Sequence, residues 1–346
     1  MHTPTYRRTN TQVAFVYFRG IYLYPLTTVG GDRERLVCPR RGRGRDCAPA
    51  ALDRALLGGP STSPLERTGL RAGGALMPDI DKVFSGSIPR VYEIYLVPLI
   101  FEPYATDLKN RIEPMKLSRI LEVAAGTGVV TRALAAVANE GSSIVATDLN
   151  QAMLDQAAAV GTARPVQWLQ ADAMALPFPD NEFDAVVCQF GVMFFPNKSK
   201  AFSETHRVLK PGGVFIFNVW DRISENEFAD AVTTALAAVF PQDPPRFLAR
   251  TPYGYHDRLT IERDLATGGF TRSPQMVTVA ARSRATSPHV PALAYCQGTP
   301  LRNEIEARDA SRLGEATDMA TAAVANRFGT HKVEGKIQAH VVTIEK

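Results

Sequence analysis

The chain has 346 residues, of which 45% are hydrophobic and 21% charged, a composition typical of a globular protein with a sizeable core. Its net charge is +4, but residues 1–76 contain 12 Arg, no Lys and 5 acidic residues, so the remainder of the chain is slightly acidic. This division argues against a basic nucleic-acid-binding surface beyond residue 76, and the lack of any run of 18 apolar residues argues against a membrane span.

Residues 1–76 are rich in Arg, Pro and Gly, and no helical or strand period persists in them. This texture favours a disordered extension over an Arg-rich targeting segment or a nucleic-acid-binding arm. The composition changes at Met77, where we place the start of the folded chain. We expect a helical segment over residues 77–116, formed by an aromatic-rich helical pair that Pro98 and Pro103 interrupt.

Strand-like and helix-like runs then alternate, which predicts an α/β fold with a parallel sheet and helices on both of its faces. The predicted strands are Arg119–Ala124, Ser143–Thr147, Val166–Gln170, Asp184–Gln189 and Val214–Val219. The helices between them are Val129–Ala138, Gln151–Ala159 and Lys200–Leu209.

Beyond Trp220 we expect helices at about Asn226–Phe240 and Ile261–Thr267, then two late strands at Gln275–Ala281 and Lys336–Ile344. Five strand–helix alternations followed by two late strands predict a seven-stranded sheet in the order 3-2-1-4-5-7-6, with the last strand antiparallel. The domain would thus cover residues 117–346, with a helical insertion at about 284–335.

The first strand runs from Arg119 into a loop that contains Gly126 and Gly128 and opens a helix. Such a loop lets backbone approach a ligand closely, and the free N–H groups of the helix attract an anion. The dinucleotide fingerprint of nicotinamide-dependent oxidoreductases fits poorly, because Thr131 stands where the third glycine is required. The alternative is a site for an amino-acid head group, with the acid Glu122 for the ammonium and the loop for the carboxylate.

The next strand ends in Asp148, whose two carboxylate oxygens suit the vicinal hydroxyls of a ribose, although an acid capping the following helix is also expected there. The third strand ends at Asp172 and Ala173, which we interpret as a site for adenine or as a solvated loop. The fourth ends at the polar Gln189. Successive tips of parallel strands line one crevice, which favours a single binding site.

Four segments resemble class I S-adenosylmethionine (SAM)-dependent methyltransferases, in particular the ubiquinone and menaquinone biosynthesis methyltransferases. They are LEVAAGTG at Leu121–Gly128, ATDLN at Ala146–Asn150, ADAMALPFPDNEFD at Ala171–Asp184 and HRVLKPGG at His206–Gly213. The resemblance implies a Rossmann-like sheet with SAM as cofactor and no metal. The expected cofactor-binding residues are Glu122, Ala124, Gly126, Thr127, Gly128, Asp148, Leu149, Met153, Asp172, Ala173 and Gln189.

Methyl transfer from SAM needs alignment of the acceptor, and a general base only where the acceptor must lose a proton. His256 is the candidate base, against the alternative of a loop His held by backbone. The few charges in Tyr92–Tyr104 favour a small, apolar or aromatic acceptor, with this segment as a lid over the cofactor and residues 287–331 covering the acceptor. For Phe194 and Phe195 we favour packing in the core over the alternative of a floor for the acceptor.

Two other functions stay open, a non-catalytic SAM-binding module and a nicotinamide-dependent oxidoreductase. A methyltransferase acting on protein or RNA lacks support in the acidic body of the chain. The four cysteines, Cys38, Cys47, Cys188 and Cys296, form no CxxC pair, and no His lies at a zinc-like spacing from them. A reducing, cytoplasmic setting is expected.

Overall fold

The computed structural model describes residues 79–346, which lie in one compact unit. The predicted extension at residues 1–76 lies outside the described residues. Within the described range the core sits between a single sheet and the helices that pack on both of its faces. None of the helices in this range combines the length and the apolar character that a transmembrane segment requires.

Seven strands form the sheet, in the order β3-β2-β1-β4-β5-β7-β6. They are β1 (Arg119–Val123), β2 (Ser143–Asp148), β3 (Gln167–Gln170), β4 (Phe183–Gln189), β5 (Leu209–Trp220), β6 (Gln275–Ala285) and β7 (Val333–Glu345). The first five pair in parallel, whereas β7 runs antiparallel to both β5 and β6. The predicted order and the antiparallel last strand are confirmed.

Eleven α-helical segments occur in residues 79–346. They are α1 (Ile88–Val91), α2 (Glu102–Ile112), α3 (Val129–Val137), α4 (Gln151–Val160), α5 (Lys198–Val208), α6 (Glu227–Val239), α7 (Phe247–Arg250), α8 (Arg258–Thr267), α9 (His289–Gln297), α10 (Leu301–Asp309) and α11 (Leu313–Phe328). Most predicted boundaries agree within two or three residues. The late strands β6 and β7 are longer than predicted because they pair with each other along their whole length.

The predicted helical pair is wrong at its break, because α1 and α2 are joined without interruption by a π-helix at Tyr92–Phe101. Pro98 lies inside this π-helix. A proline has no N–H to donate and its ring crowds the preceding turn of an α-helix, whereas the wider π turn leaves room for it. The buried side chains of this continuous helical stretch divide between two core clusters, with Leu96 to Tyr104 in one and Ala105, Leu108 and Ile112 in the other.

The segment between β6 and β7 contains α9, α10 and α11, as the predicted helical insertion requires. Helix α11 packs on α6 through Ala316, Ala320 and Val324, all of which are fully buried. Small side chains let the two helices approach closely. Most of this insertion is therefore part of the core, and only α9 and the turn after it reach the cavity described below.

Candidate functional site

The carboxyl ends of β1, β2 and β4 border an open cleft of about 830 Å³, here called the strand-tip cleft. Eight of the predicted cofactor-binding residues line it: Ala124, Gly126, Asp148, Leu149, Met153, Asp172, Ala173 and Gln189. The parallel strands bring these residues together from positions up to 65 apart in the sequence, since their carboxyl ends meet at one sheet edge. The other three predicted residues, Glu122, Thr127 and Gly128, do not line the cleft.

The loop between β1 and α3 turns through three left-handed residues, Ala124 (φ 56°), Gly126 (φ 56°) and Gly128 (φ 83°). At Gly128 a Cβ atom would lie 3.0 Å from the ring of Trp168 and 3.1 Å from Ala157 Cβ. Glycine is thus required at this position by both backbone conformation and packing. The close approach draws the loop down onto α4 and leaves Gly126 at the cleft surface.

Asp148 links the tip of β2 to this loop. Its Oδ2 accepts a hydrogen bond from the Gly126 N–H at 2.9 Å, and its Oδ1 accepts one from the Asn150 N–H at 2.8 Å. Burial raises the pKa of the carboxyl, and these backbone hydrogen bonds act in the opposite direction. Asn150, and not Asp148, is the N-cap residue of α4. Each carboxylate oxygen keeps a lone pair that can accept from a ligand in the cleft.

Glu122 lies beneath the loop in the core, where the residue is only 1% exposed. Thr131 Oγ1 donates to Glu122 Oε2 at 2.5 Å, so the position where a dinucleotide fingerprint would need glycine carries a buried hydrogen bond instead. Burial raises the pKa of Glu122 to about 8. The neighbouring hydroxyl of Thr127 is buried and has no partner within residues 79–346.

The tips of β3 and β4 supply the remaining polar groups of the cleft. Asp172 Oδ1 accepts from the Met174 N–H at 2.8 Å, which folds the loop after β3. Gln189 Nε2 lies 3.4 Å from the Phe101 carbonyl oxygen, while its Oε1 is buried with no partner in the described part of the chain. An unmade hydrogen bond in a buried site marks a position where a ligand can supply the missing donor.

Residues 80–87, here called the strap, cross one side of the cleft before α1 begins. The Phe84 N–H donates to Asn150 Oδ1 at 3.3 Å, and the Phe84 ring lines the cleft. At the other end Asp81, 1% exposed, accepts from both Arg250 Nη2 and Arg250 Nε and from the Thr251 hydroxyl. A buried carboxylate bound in this way anchors the strap to the helix α7 region.

A second, smaller cavity adjoins the cleft and is here called the aromatic chamber. Four side chains line both cavities: Phe84, Tyr92, Phe190 and Phe194. The chamber alone is lined by Leu96, Ile100 and Phe101 of the π-helix and by Trp220, Phe247, Leu248, Pro252, Tyr253, Tyr295 and Thr299. None of these lining side chains is charged.

Stacked rings form the wall between the cleft and the chamber. Phe190 and Trp220 lie parallel with centroids 3.8 Å apart, and Tyr104 meets both edge-on at 5.2 Å and 5.3 Å. Phe190 adopts a left-handed backbone conformation (φ 50°), which is unusual for a bulky residue and turns its ring from the end of β4 towards Trp220. The wall is thus fixed by β4 and β5 together.

Other candidates from the sequence lie elsewhere. His256 lines neither cavity, and its Nδ1–H donates to the Tyr253 carbonyl oxygen at 3.1 Å. Among residues 79–346 no cluster of three or more His, Cys, Asp or Glu is placed to hold a metal ion. Phe194 and Phe195 pack against the core as expected, but both are only half-buried and also line the cleft.

Sequence reasoning missed most of the aromatic chamber. Phe247, Tyr253 and Tyr295 come from segments with no strand–helix alternation and no recognisable motif. The only available signal was the density of aromatic residues after β4 and in the Tyr92–Tyr104 segment.

The comparisons with known proteins agree with this geometry. A family described as a methyltransferase domain matches residues 121–217. The ubiquinone/menaquinone biosynthesis C-methyltransferase of Ectopseudomonas mendocina is 30% identical over 206 residues, which cover 56% of this chain and 76% of that protein. Its counterpart in Stutzerimonas stutzeri is 32% identical over 168 residues, or 45% of this chain and 66% of that protein.

Similarity to solved structures is weaker. The phosphoethanolamine N-methyltransferase 2 of Haemonchus contortus, solved in complex with S-adenosyl-L-methionine, is 16% identical to this chain, with a TM-score of 0.47. The match covers 75% of this chain and 56% of the other. Similarity at this level says nothing about the ligands of the present protein.

Proposed function

The chain belongs to the class I SAM-dependent methyltransferases, and from this membership we propose that it transfers a methyl group to a small apolar or aromatic molecule bound in the aromatic chamber. The main observation in support of this proposal is that the two cavities adjoin and share lining residues. The strand-tip cleft is lined by polar residues at the strand ends, as expected for a SAM site, and the adjoining chamber has aromatic and aliphatic walls. A donor and an acceptor bound in these two places would meet at Phe190 and Phe194.

The residues present fit SAM. We propose that Asp148 accepts from the ribose hydroxyls, that Asp172 and Ala173 meet the adenine edge, and that Leu149 and Met153 pack on its faces. The unpartnered Oε1 of Gln189 fits an ammonium or another donor near the reacting centre. When bound, SAM supplies a methyl group already activated on a sulfonium.

The amino-acid head group would lie along the loop at Gly126. We propose that Glu122 orders this loop through Thr131 and does not touch the ligand, because its carboxyl lies beneath the cleft surface. We assign Gly128 the same supporting role, since packing against Trp168 already explains the glycine. The buried Thr127 hydroxyl lies close enough in sequence to serve the head group if the loop adjusts on binding.

The protein's share of the reaction is alignment and exclusion of water. The Phe190–Trp220 stack gives a planar acceptor a rigid surface, and the strap closes the cleft from the other side. A general base is not evident in the chamber, where burial raises the pKa values of Tyr253 and Tyr295 and keeps both phenols protonated. The acceptor must therefore present a lone pair or an already ionised atom to the methyl group.

The test is a metabolite-extract screen with methyl-labelled SAM, followed by solvent partition and identification of the labelled product. We expect the label in a small product that partitions into organic solvent. Label recovered in protein, in RNA or in a highly charged small product would contradict the proposal. A variant carrying Trp220→Ala serves as the control, because Trp220 lines the chamber and not the cleft, so the variant should bind SAM but lose the flat surface on which the acceptor is aligned.

A further inference from the structure

Within residues 79–346, two buried tyrosines of the aromatic chamber hydrogen-bond only each other through their hydroxyl groups. Tyr253 and Tyr295 are 2% and 1% exposed, and their hydroxyl oxygens lie 3.3 Å apart. Each phenol has one proton to donate, so the contact between the two hydroxyls uses one proton of two. The second proton has no acceptor within residues 79–346.

No hydrogen bond joins either phenol to the neighbouring hydroxyls of Tyr104 and Thr299, which bond other groups. The Tyr104 hydroxyl donates to the Val279 carbonyl oxygen at 3.2 Å, and the Thr299 hydroxyl donates to the Tyr295 carbonyl oxygen at 2.7 Å. A buried donor left without a partner is costly, and such groups normally meet a ligand or an ordered water. Since Tyr253 and Tyr295 both line the chamber, a molecule bound there is in a position to accept the proton.

We propose that the hydroxyl pair of Tyr253 and Tyr295 determines acceptor specificity, by donating a hydrogen bond to an oxygen of an uncharged aromatic acceptor at the end remote from the methylated atom. The inference rests on the proposed function, because it assigns the acceptor to the aromatic chamber. It goes further in specifying a second functional group on the acceptor and the residues that recognise it.

The placement of the pair sets the orientation of the acceptor. Tyr253 and Tyr295 line the chamber but not the strand-tip cleft, whereas Phe190 lines both. Trp220 lies between Phe190 and Tyr253, with its ring centroid 3.8 Å from that of Phe190 and 5.7 Å from that of Tyr253. An acceptor lying along this row would direct one end to the cleft and the opposite end to the two hydroxyls.

The lack of charged side chains in the chamber lining requires the recognised group to be uncharged. An ion transferred into such surroundings without a partner loses its hydration and gains nothing in return. A carbonyl, ether or hydroxyl oxygen needs only the one proton that the tyrosine pair holds. An analogue without this oxygen leaves the proton unpaired, and a site built around a hydrogen bond rejects such analogues strongly.

The test compares two probes of equal shape, 1-naphthol and 1-methylnaphthalene, binding to the full chain saturated with S-adenosylhomocysteine. Wild-type protein should bind 1-naphthol about tenfold more tightly, the scale of one buried hydrogen bond. Each single variant, Tyr253→Phe or Tyr295→Phe, keeps one hydroxyl with a free proton and should retain a preference. The double variant should bind both probes equally.

Tyr104→Phe is the matched control, because it removes a buried hydroxyl that lines neither cavity, and the preference for 1-naphthol should persist. S-adenosylhomocysteine affinity should be the same in every variant, which would show that the cleft is intact. Equal binding of both probes to wild type, or a preference that survives in the double variant, overturns the inference and leaves the proposed function standing. Binding of neither probe to wild type counts against the proposed acceptor class itself.

Discussion

Ala124 and Gly191 face each other across the tips of β1 and β4. A Cβ atom placed on Gly191 would overlap the Cβ of Ala124 and lie 2.7 Å from Cys188 Sγ. Ala124 adopts a left-handed conformation (φ 56°), which is unusual for a residue other than glycine. The space that its methyl group occupies is left free by the glycine on the neighbouring strand.

This relationship predicts an energetic coupling between the two positions. Gly191→Ala alone should lower the free energy of unfolding by about 1–3 kcal/mol, because it overfills a packed site. Adding Ala124→Gly removes the opposing methyl group and the left-handed alanine, so part of the loss should be recovered. Urea unfolding of the two single variants and the double variant measures the coupling.

Gly314→Ala is the control for this cycle, since nothing lies within 4 Å of its would-be Cβ and the residue is helical. It should be neutral or slightly stabilising. Strictly additive losses at 124 and 191 would show that the two residues do not compete for the same space.

Asp148→Ala should weaken SAM binding by about 1–3 kcal/mol, the scale for losing a charged hydrogen-bond partner in a buried site. The loss has two sources, the contact to the ribose and the tether to the Gly126 N–H. Calorimetric titration with SAM measures it. Asp155→Ala is the control, because Asp155 is exposed on α4 and, within residues 79–346, bonds only Gln151. Undiminished affinity in folded Asp148→Ala protein would remove the ribose assignment.

Glu122 predicts a pH dependence of stability. Its pKa is about 8 in the folded protein against a model-peptide value of 4.5, so between these values the folded state holds a proton that the unfolded state has released. The contribution of this group to the free energy of unfolding is therefore full below pH 4.5 and falls as pH rises towards 8, by up to about 1.4 kcal/mol per pH unit.

Glu122→Gln, whose amide stays neutral, should lose this dependence. Urea unfolding from pH 5 to pH 9 should show the variant gaining stability relative to wild type as pH rises. The exposed Glu140→Gln should leave the profile unchanged. Parallel curves for wild type and Glu122→Gln would mean that the buried carboxyl does not titrate in this range.

The anchor of the strap predicts a link between stability and cofactor affinity. Asp81→Asn should lower the free energy of unfolding by about 2 kcal/mol, because it removes charge-assisted hydrogen bonds from Arg250 and Thr251. It should also raise the Kd for S-adenosylhomocysteine, since Phe84 is then less firmly held over the cleft.

Asp243→Asn is the comparison, as Asp243 pairs with Arg308 at 3.1 Å but has 76% of its side chain exposed. Such exposed pairs contribute little to stability. A stability loss in Asp81→Asn without any change in Kd would separate the anchor from the cleft.

The change in composition at Met77 leads us to propose that residues 1–76 are dispensable for folding and cofactor binding. A chain that begins at Met77 should have the melting temperature and SAM affinity of the full chain. A second chain beginning at Gly86 lacks Asp81 and Phe84, and it should melt at a lower temperature and bind SAM more weakly. A large drop in the first chain would show that the preceding residues stabilise the domain.

The sheet was predictable because its information is local. Strands β2 and β4 end in the polar residues Asp148 and Gln189 after apolar runs, and Glu122 stands one residue before the end of β1. Parallel strands then align these ends without further information. Local sequence does not show which way a side chain points. The side chain of Glu122, for example, turns into the core towards Thr131 although the residue stands near a strand end.

The aromatic chamber was not predictable in the same way. Trp220, Tyr253 and Tyr295 meet only through tertiary packing, and no short-range pattern relates them. The predicted helix break at Pro98 was wrong for a related reason. A proline usually ends a helix, and the π-helix that accommodates it is favoured by the burial of Leu96, Leu99 and Ile100 against the rest of the core.

The four rings that line both cavities, those of Phe84, Tyr92, Phe190 and Phe194, couple the two binding sites. Ordering these rings around one bound molecule restricts them for the next, so the two binding events cannot be independent. By thermodynamic reciprocity, the factor by which a filled cleft tightens the chamber equals the factor by which a filled chamber tightens the cleft. S-adenosylhomocysteine should therefore change the Kd of an aromatic probe by the same factor as the probe changes the Kd of S-adenosylhomocysteine.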